Sequence, residues 1–301
     1  MIKLSMAEET LYDCIIIGAG PGGLQASIYL GRYNRRVLLI DRGGGRTWHA
    51  RHIENFLTQA VISGKEIITL GLQQARNFNV QIVKGLVTRV IKDSHFEVHT
   101  EEERYSSKFV IVSSGAIENL PPFDNVQRFL GESFFTCVDC DGYRTTGKKL
   151  VVLGNSLETI HLALAMKEMY TGDITLVLSA LTVPRVYLDE LEEGQIRLAQ
   201  GIPVRLSGED RLEGIELQDG SSIPCSVIMS NFGYRLNDAF LAGLNLKKDA
   251  AQFKYITNKH FESSCDGLYI VGPLTGNDQA VIAAGEGAIA ALELKKRLLE
   301  Q

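Results

Sequence analysis

The chain has 301 residues, 45% of them hydrophobic and 22% charged, and a net charge of −5. That length suits two domains, and the composition is that of an ordinary globular protein with a sizeable core. The mild negative charge argues against nucleic acid as the main partner. No apolar run approaches the ~20 residues that span a bilayer, so no membrane segment is expected. The opening MIKLSMAEET is too short and too polar for a signal peptide. Five cysteines, an odd number, give no disulfide framework. The expected compartment is therefore a reducing cytoplasm, where a close cysteine pair is more often catalytic than structural.

The first element is an apolar run, Leu11 to Ile17 (LYDCIII), which reads as a buried parallel strand. It leads into Gly18-Ala19-Gly20-Pro21-Gly22-Gly23, where Gly18, Gly20 and Gly23 fit G-x-G-x-x-G. Helical character follows from Leu24 to Tyr33, then a second apolar run, Val37 to Ile40, closing on Asp41. Each glycine has a separate task. Gly18 allows the tight turn, Gly20 lets backbone approach a pyrophosphate, and Gly23 lets the helix pack on the strand. The helix N-terminus faces the phosphates. Asp41 lies 18 residues beyond Gly23, where an acid holds a ribose 2′-hydroxyl. An acid there favours FAD or NAD over a 2′-phosphorylated nucleotide. A bare G-x-G-x-x-G is a weak signal and could be a glycine-rich turn, but here strand, turn, helix, strand and acid all come in order.

Gly43-Gly44-Gly45-Arg46 is a flexible loop that carries Trp48 soon after, as packing or as a stacking ring. Gly64 to Phe78 reads as a helix with Ile67, Ile68, Leu70, Leu72 and Ala75 on its apolar side. Val80 to Val90, His95 to His99 and Lys108 to Ser113 read as strands, the last ending in Ser113-Ser114-Gly115-Ala116. A small-residue turn after a strand suits backbone contact with a ligand. Pro121-Pro122 marks a linker.

Cys137-Val138-Asp139-Cys140 comes next, followed at once by Asp141 and Gly142. A disulfide of this spacing closes a small ring that can open and reform without unfolding anything, which suits exchange chemistry. The competing reading is half of a zinc site. A structural zinc needs four ligands, yet Cys14, Cys225 and Cys265 are isolated and no histidine stands at ligand spacing beside them. The redox reading is preferred.

A second strand-turn-helix-strand unit follows: Lys149 to Leu153, Gly154-Asn155-Ser156, Leu157 to Met169, and Ile174 to Leu178. It repeats the first unit in layout, not in sequence. If Gly154 is the first fingerprint position, Ser156 stands at the second and Thr159 at the third. A side chain at the second position obstructs a pyrophosphate. Leu178-Ser179-Ala180 offers neither a basic cluster for a 2′-phosphate nor an acid for a ribose. The expectation is a Rossmann-like domain that has lost tight nicotinamide-nucleotide binding. His161 reads as a partly buried structural histidine. Leu188 to Gln200 reads as a helix, and Pro203 to Leu206, Leu212 to Leu217 and Ser226 to Ser230 as strands, with Phe232-Gly233-Tyr234 ending the domain.

Gly267 to Val271 is an apolar strand ending in Gly272-Pro273. From Asp278-Gln279-Ala280-Val281 a helix runs to about Leu298. Its first half is small (Ala283, Ala284, Gly285, Gly287, Ala288, Ala290), so it can lie close to a neighbour, and Lys295, Lys296 and Arg297 suit its C-terminal end. The expected fold class is α/β, with two Rossmann-like, three-layer ββα dinucleotide-binding domains. Residues 1–120 and 241–301 form one, and 121–240 the other, inserted into it.

The chain resembles the low-molecular-weight thioredoxin reductases, over about Tyr12 to Leu294. The matching stretches are GAGPGG at Gly18, GG at Gly44 and Gly45 with Asn55 ten residues on, SSGA at Ser113, CVDCDGY at Cys137, FGY at Phe232 and QAVIAAGEGAIAA at Gln279. The resemblance implies FAD in the first domain, against Gly18, Gly20, Pro21, Gly22, Gly23, Asp41, Arg42, Asn55, Val87, Ser114, Gly115, Gly272, Gln279 and Ala280. It implies that Cys140 is the thiol next to the flavin, that Cys137 attacks a thioredoxin-like partner's disulfide, and that Asp141 is the acid/base. It also implies a homodimer. The departures are as informative. The family's fuller glycine motif and His-Arg-Arg cluster for NADPH are GNSLET and Leu178-Ser179-Ala180 here. The Asp after the late glycine is Pro273, and the Arg before Gln-Ala is Asp278. The chain is similar to branches that have lost NADPH, which take electrons from ferredoxin or hold a second flavin in the vacated site. Two alternatives stay open: a conventional NADPH-thioredoxin reductase with a degenerate site, and a flavin redox sensor that does not turn over.

Overall fold

A computed structural model describes residues 10–123, 125–179 and 182–300. Residues 1–9, most of the stretch weighed as a signal peptide, and Ala180 of the second strand exit lie outside the described residues. The chain divides into two compact units, Met1–Ile117 with Leu236–Gln301, and Glu118–Arg235.

The first unit opens with β1 (Leu11–Ile17), α1 (Pro21–Arg32), β2 (Val37–Asp41), a one-turn α2 (Arg46–His49), α3 (Gly64–Asn77) and β3 (Gln81–Lys84). β4 (Val87–Lys92), β5 (Phe96–Thr100), β6 (Arg104–Val112) and β7 (Ala116–Glu118) follow. The parallel core runs β3-β2-β1-β6. Cys14 to Ile17 stand level with Val37 to Ile40 on one side and with Phe109 to Val112 on the other. Side chains alternate faces along a strand, so these apolar runs serve two cores at once. Cys14, Ile16, Leu39 and Ile111 join the residues of α1 and α3, while Ile15, Ile17, Leu38 and Val110 meet the meander of β4 and β5. A fully buried side chain of this kind stabilises the fold by about 1.5–3 kcal/mol, which is why neither face tolerates a polar residue.

Two sequence expectations fail here for identifiable reasons. Val80 to Val90 is not one strand. β3 lies parallel to β2, whereas β4 lies antiparallel to β5, and the chain turns at Gly85, whose N–H donates to the Asp41 carbonyl. Leu70 is 52% exposed. The buried stripe of α3 is Gly64, Ile68, Gly71 and Ala75, spaced as a helix demands. The start of α3 is fixed by a capping box between Ser63 and Glu66, a device that contributes about 1 kcal/mol.

The second unit contains α4 (Val126–Phe129), β8 (Phe134–Phe135), α5 (Val138–Asp141), β9 (Leu150–Gly154), α6 (Glu158–Met169), β10 (Ile174–Leu178) and α7 (Arg185–Glu193). It continues through β11 (Arg197–Gln200), β12 (Pro203–Ser207), β13 (Gly214–Leu217), β14 (Ser222–Pro224), β15 (Val227–Asn231) and β16 (Tyr234–Leu236). Its parallel sheet runs β11-β10-β9-β15-β8, with a separate β12-β13-β14 meander. One sheet face packs on α6 and α7, the other on the meander, so the two units share one three-layer plan. The expected helix from Leu188 to Gln200 is broken in the middle. Gly194 caps α7, Gln195 takes a left-handed φ of 50°, and the chain re-enters the sheet as β11, parallel to β10.

The chain then returns to the first unit, where β17 (Leu268–Ile270) pairs with the C-terminal half of β6, and α8 (Ala280–Leu299) closes the helical layer.

Candidate active site

The glycine turn between β1 and α1 is built as its sequence requires. Gly18 has φ of 101°, and a Cβ there would stand 2.3 Å from the Ser113 carbonyl oxygen. A Cβ on Gly23 would stand 1.9 Å from the Gly18 carbonyl oxygen, so α1 could not start where it does. A Cβ on Gly20 would meet nothing nearer than 3.9 Å. Gly20 is thus not required by this chain's own packing, and its backbone is open to the approach of a ligand. No side chain caps α1, which begins at Pro21, so the N–H groups of its first turn are directed outward as an anion site. Asp41 secures the turn. Its Oδ1 accepts the Ala19 N–H at 2.9 Å and its Oδ2 the Gly43 N–H at 2.8 Å. Each oxygen keeps a second lone pair for a ribose hydroxyl. These features fit a dinucleotide such as FAD.

The small face of α8 lies on α1. A Cβ on Gly287 would stand 2.0 Å from the Gly22 carbonyl oxygen, and one on Gly22 would stand 3.0 Å from that of Ala283. That close approach brings the N-terminus of α8, with Gln279 as its cap, to the helix layer that starts at the glycine turn. Ser114 and Gly115 form the exit of β6. The Ser114 hydroxyl donates to the Asn237 carbonyl at 2.7 Å, and the Asn237 N–H donates to the Gly115 carbonyl at 3.1 Å. Gly272 has φ of 76°, and its N–H donates to the Glu286 carboxylate. Asn55 is exposed, and its Nδ2 donates to Gln279 Oε1 at 3.0 Å. Arg42 is exposed. The Val87 side chain belongs to the core on the meander side, so only its backbone is available to a ligand. Trp48 packs on the helix-side core, with the Lys65 ammonium 5.5 Å from the ring centroid.

In the second unit Cys137 and Cys140 form a disulfide, with Cα atoms 5.3 Å apart. They bracket the first turn of α5, where the Asp141 N–H donates to the Cys137 carbonyl at 3.0 Å. The Asp141 carboxylate pairs with the Arg144 guanidinium at 3.4 Å. Gly142 is buried where any Cβ would strike the Tyr170 ring at 2.7 Å. The other three thiols are poor nucleophiles. Burial pushes the pKa of Cys14 strongly up, that of Cys225 up to about 12, and that of Cys265 upward, which suppresses the reactive thiolate. Among the described residues no group of three or more His, Cys, Asp or Glu is placed to hold a metal.

The second strand-turn-helix is built without the glycine fingerprint. A Cβ on Gly154 would stand 2.2 Å from Thr159 Oγ1, because the fully buried Thr159 side chain occupies the space that a third glycine leaves clear. At the start of α6 the Glu158 carboxylate takes hydrogen bonds from the Ser156 hydroxyl and from its own backbone N–H, which hold its pKa below the usual range. The chain thus sets a carboxylate where a bound phosphate benefits from the helix N-terminus. His161 is exposed, not partly buried, and meets Tyr187 edge-on at 5.6 Å between centroids.

Sequence reasoning did not single out Arg144, Glu158 or Glu286. For Glu286 a signal was present. It falls on the buried stripe Ala283, Gly287, Ala290, Ala291 and Leu294 of α8, where a lone acid needs partners.

A dinucleotide cradle in one unit and a reactive disulfide in a second Rossmann-like unit define a flavin-dependent disulfide oxidoreductase. The chain belongs to the pyridine nucleotide-disulphide oxidoreductase family, whose model matches residues 12–287. Within it the likeness is to the low-molecular-weight thioredoxin reductases. The chain is 25% identical to the thioredoxin reductase of Bacillus subtilis, over 95% of this chain and 94% of that one. It is 27% identical to a 34.2 kDa protein in a rubredoxin operon of Clostridium pasteurianum, over 97% and 98% of the two chains. The solved structure of HlmI superposes with a TM-score of 0.91 at 27% identity, covering 98% of this chain and 95% of that one.

Proposed function

We propose that this protein passes electrons from FAD in the first unit through Cys137–Cys140 to the disulfide of a thioredoxin-like protein, and that its donor is not NADPH. The observation that carries the second half is the second turn, with Thr159 in the glycine space and the Glu158 carboxylate at the start of α6. A pyrophosphate would meet the Ser156 side chain at the second fingerprint position and the Glu158 carboxylate at the helix N-terminus. Ferredoxin, or a second flavin held in the second unit, is the class of donor this reading favours.

Bound FAD supplies the two electrons that open the Cys137–Cys140 disulfide. The proposed flavin-binding residues are those of the glycine turn, with Asp41, Arg42, Asn55, Val87, Ser114, Gly115, Gly272, Gln279 and Ala280. Cys140 would be the thiol of the pair that takes up those electrons. Cys137, at the N-terminus of α5, attacks one sulfur of the partner's disulfide and forms a mixed disulfide, releasing the partner's other sulfur as a thiolate. Cys140 then attacks Cys137, which restores the intramolecular bond and releases the second partner thiol. Asp141 delivers the proton to a departing sulfur, and the Arg144 guanidinium keeps its carboxylate beside the pair. Cys14 and Cys225 take no part, since a buried thiol exchanges slowly, and the raised pKa of the half-buried Cys265 leaves it little thiolate. The same reading places the protein in the cytoplasm as a homodimer. Val281, Ile282, Ile289, Leu292 and Leu299 of α8 are exposed apolar residues that a second copy would cover.

Photoreduced protein mixed with an oxidised thioredoxin-like acceptor should create two new thiols per acceptor molecule, counted by alkylation and mass. If the flavin stays reduced and no acceptor thiols appear, the protein is not a disulfide reductase of this class.

A further inference from the structure

Three consecutive residues just before α8 are each held by a different part of the first unit. Asn277 Nδ2 donates to Glu286 Oε1 at 2.7 Å. Asp278 Oδ2 pairs with Arg46 Nη1 of α2 at 3.0 Å. Gln279 Oε1 accepts from Asn55 Nδ2 at 3.0 Å. Arg46 and Asp278 are 232 positions apart in the chain, so neither contact is a by-product of local structure. Glu286 is 3% exposed, and its carboxylate also accepts from the Gly272 N–H and, at 3.5 Å, from Thr275 Oγ1. Burial raises its pKa while these donors oppose the rise. It therefore anchors the whole stretch from the end of β17 to the start of α8.

The two arms joined by these contacts are the two that flank the dinucleotide cradle. The segment from Gly43 to Asn55 leaves the cradle directly after Asp41, whose carboxylate holds Gly43 as well as the glycine turn. The segment from Gly272 to Gln279 enters α8, which lies against the glycine turn's own helix. We infer that Asn277-Asp278-Gln279 is a clasp that retains FAD in the first unit, with the Arg46–Asp278 ion pair as its charged rung. The clasp ties the arm beyond Asp41 to the arm before α8, so bound FAD leaves only after the rungs part. Pro273 offers no side-chain hydrogen bond to a ligand, and the clasp holds this arm instead from Glu286 beneath and Arg46 across. Arg46 and Asp278 act by holding the arms and are positioning residues. The two side chains of the ionic rung are 27% and 32% exposed, so each rung is worth a modest factor in release rate and is sensitive to salt.

The inference rests on the flavoprotein reading, and the test separates the two. FAD release is followed by the rise of flavin fluorescence after dilution, for the wild type and for Asp278→Asn, Asp278→Arg and the charge-swapped pair Arg46→Glu with Asp278→Arg. Far-UV circular dichroism checks each variant for folding. Asp278→Asn should release FAD about 1.5- to 5-fold faster, and Asp278→Arg faster still. The swapped pair should return to within about 2-fold of the wild type, because it restores an ion pair of opposite polarity. Added salt should speed release from the wild type and leave Asp278→Asn unchanged. Wild-type release that ignores salt overturns the clasp while the flavoprotein reading stands. So does Asp278→Asn at the wild-type rate, or a folded swapped pair no slower than Asp278→Arg. A wild-type chain that binds no flavin overturns both.

Discussion

Cys140→Ser will leave FAD bound and lower the rate of partner-disulfide reduction by about a thousand-fold or more. Serine matches cysteine in shape but cannot form the disulfide that stores the two electrons, so neither opening nor resolution of the Cys137–Cys140 bond can occur. The folding of the variant is secure. Cys137 and Cys140 are three positions apart, and a ring that small removes little loop entropy from the unfolded chain. The glycine turn, Asp41 and α8, the proposed flavin cradle, lie within the other unit. Absorbance of the bound flavin and a coupled thiol assay read the two halves of the prediction separately. A Cys140→Ser protein that has lost FAD, or that still reduces its acceptor, contradicts the assignment of the thiols.

Gly23→Ala will abolish FAD binding and destabilise the first unit by about 3 kcal/mol or more. The new Cβ would stand 1.9 Å from the Gly18 carbonyl oxygen. That atom is backbone and cannot rotate away. Relief requires α1 to shift away from β1, and α1 also bears the close packing of Gly287 on Gly22. The damage therefore reaches α8. Gly20→Ala is the informative contrast. Its Cβ would meet nothing within 3.9 Å, so that variant should fold and melt like the wild type but bind FAD more weakly, because the added methyl stands where the pyrophosphate approaches. Thermal melting and the ratio of flavin to protein absorbance distinguish the cases. A yellow Gly23→Ala protein with the wild-type melting temperature would show that the turn does not work as described.

Much of this was readable from the sequence, and the parts that were not have physical reasons. Runs such as Leu11 to Ile17 and Ile174 to Leu178 are buried on both faces, so composition alone marks them as strands. The glycine turn was readable because each glycine answers a separate steric demand. Val80 to Val90 misled because two strands with different partners are joined by only Gly85 and Leu86. Leu188 to Gln200 misled because the decisive event, a left-handed Gln195 after Gly194, is carried by residues with weak local preferences. The Cys137–Cys140 pairing was visible as a motif. The Arg46–Asp278 and Glu286–Asn277 contacts were not, since they depend on which distant segments the fold brings together. The sequence did mark Asp278 as a departure from its family, and its pairing with Arg46 gives that departure a partner.

The second turn was also half readable. The missing glycines predict a poor phosphate site, but Thr159 as filler and Glu158 as resident anion depend on how the turn folds. They lead to the central claim, that electrons enter this protein by a route other than NADPH. The direct measurement is anaerobic mixing of purified protein with NADPH while the flavin absorbance band is followed, with photoreduction of the same sample as the positive control. The band should persist with NADPH and bleach with light. Rapid bleaching by NADPH would contradict it and make this a conventional NADPH-linked reductase.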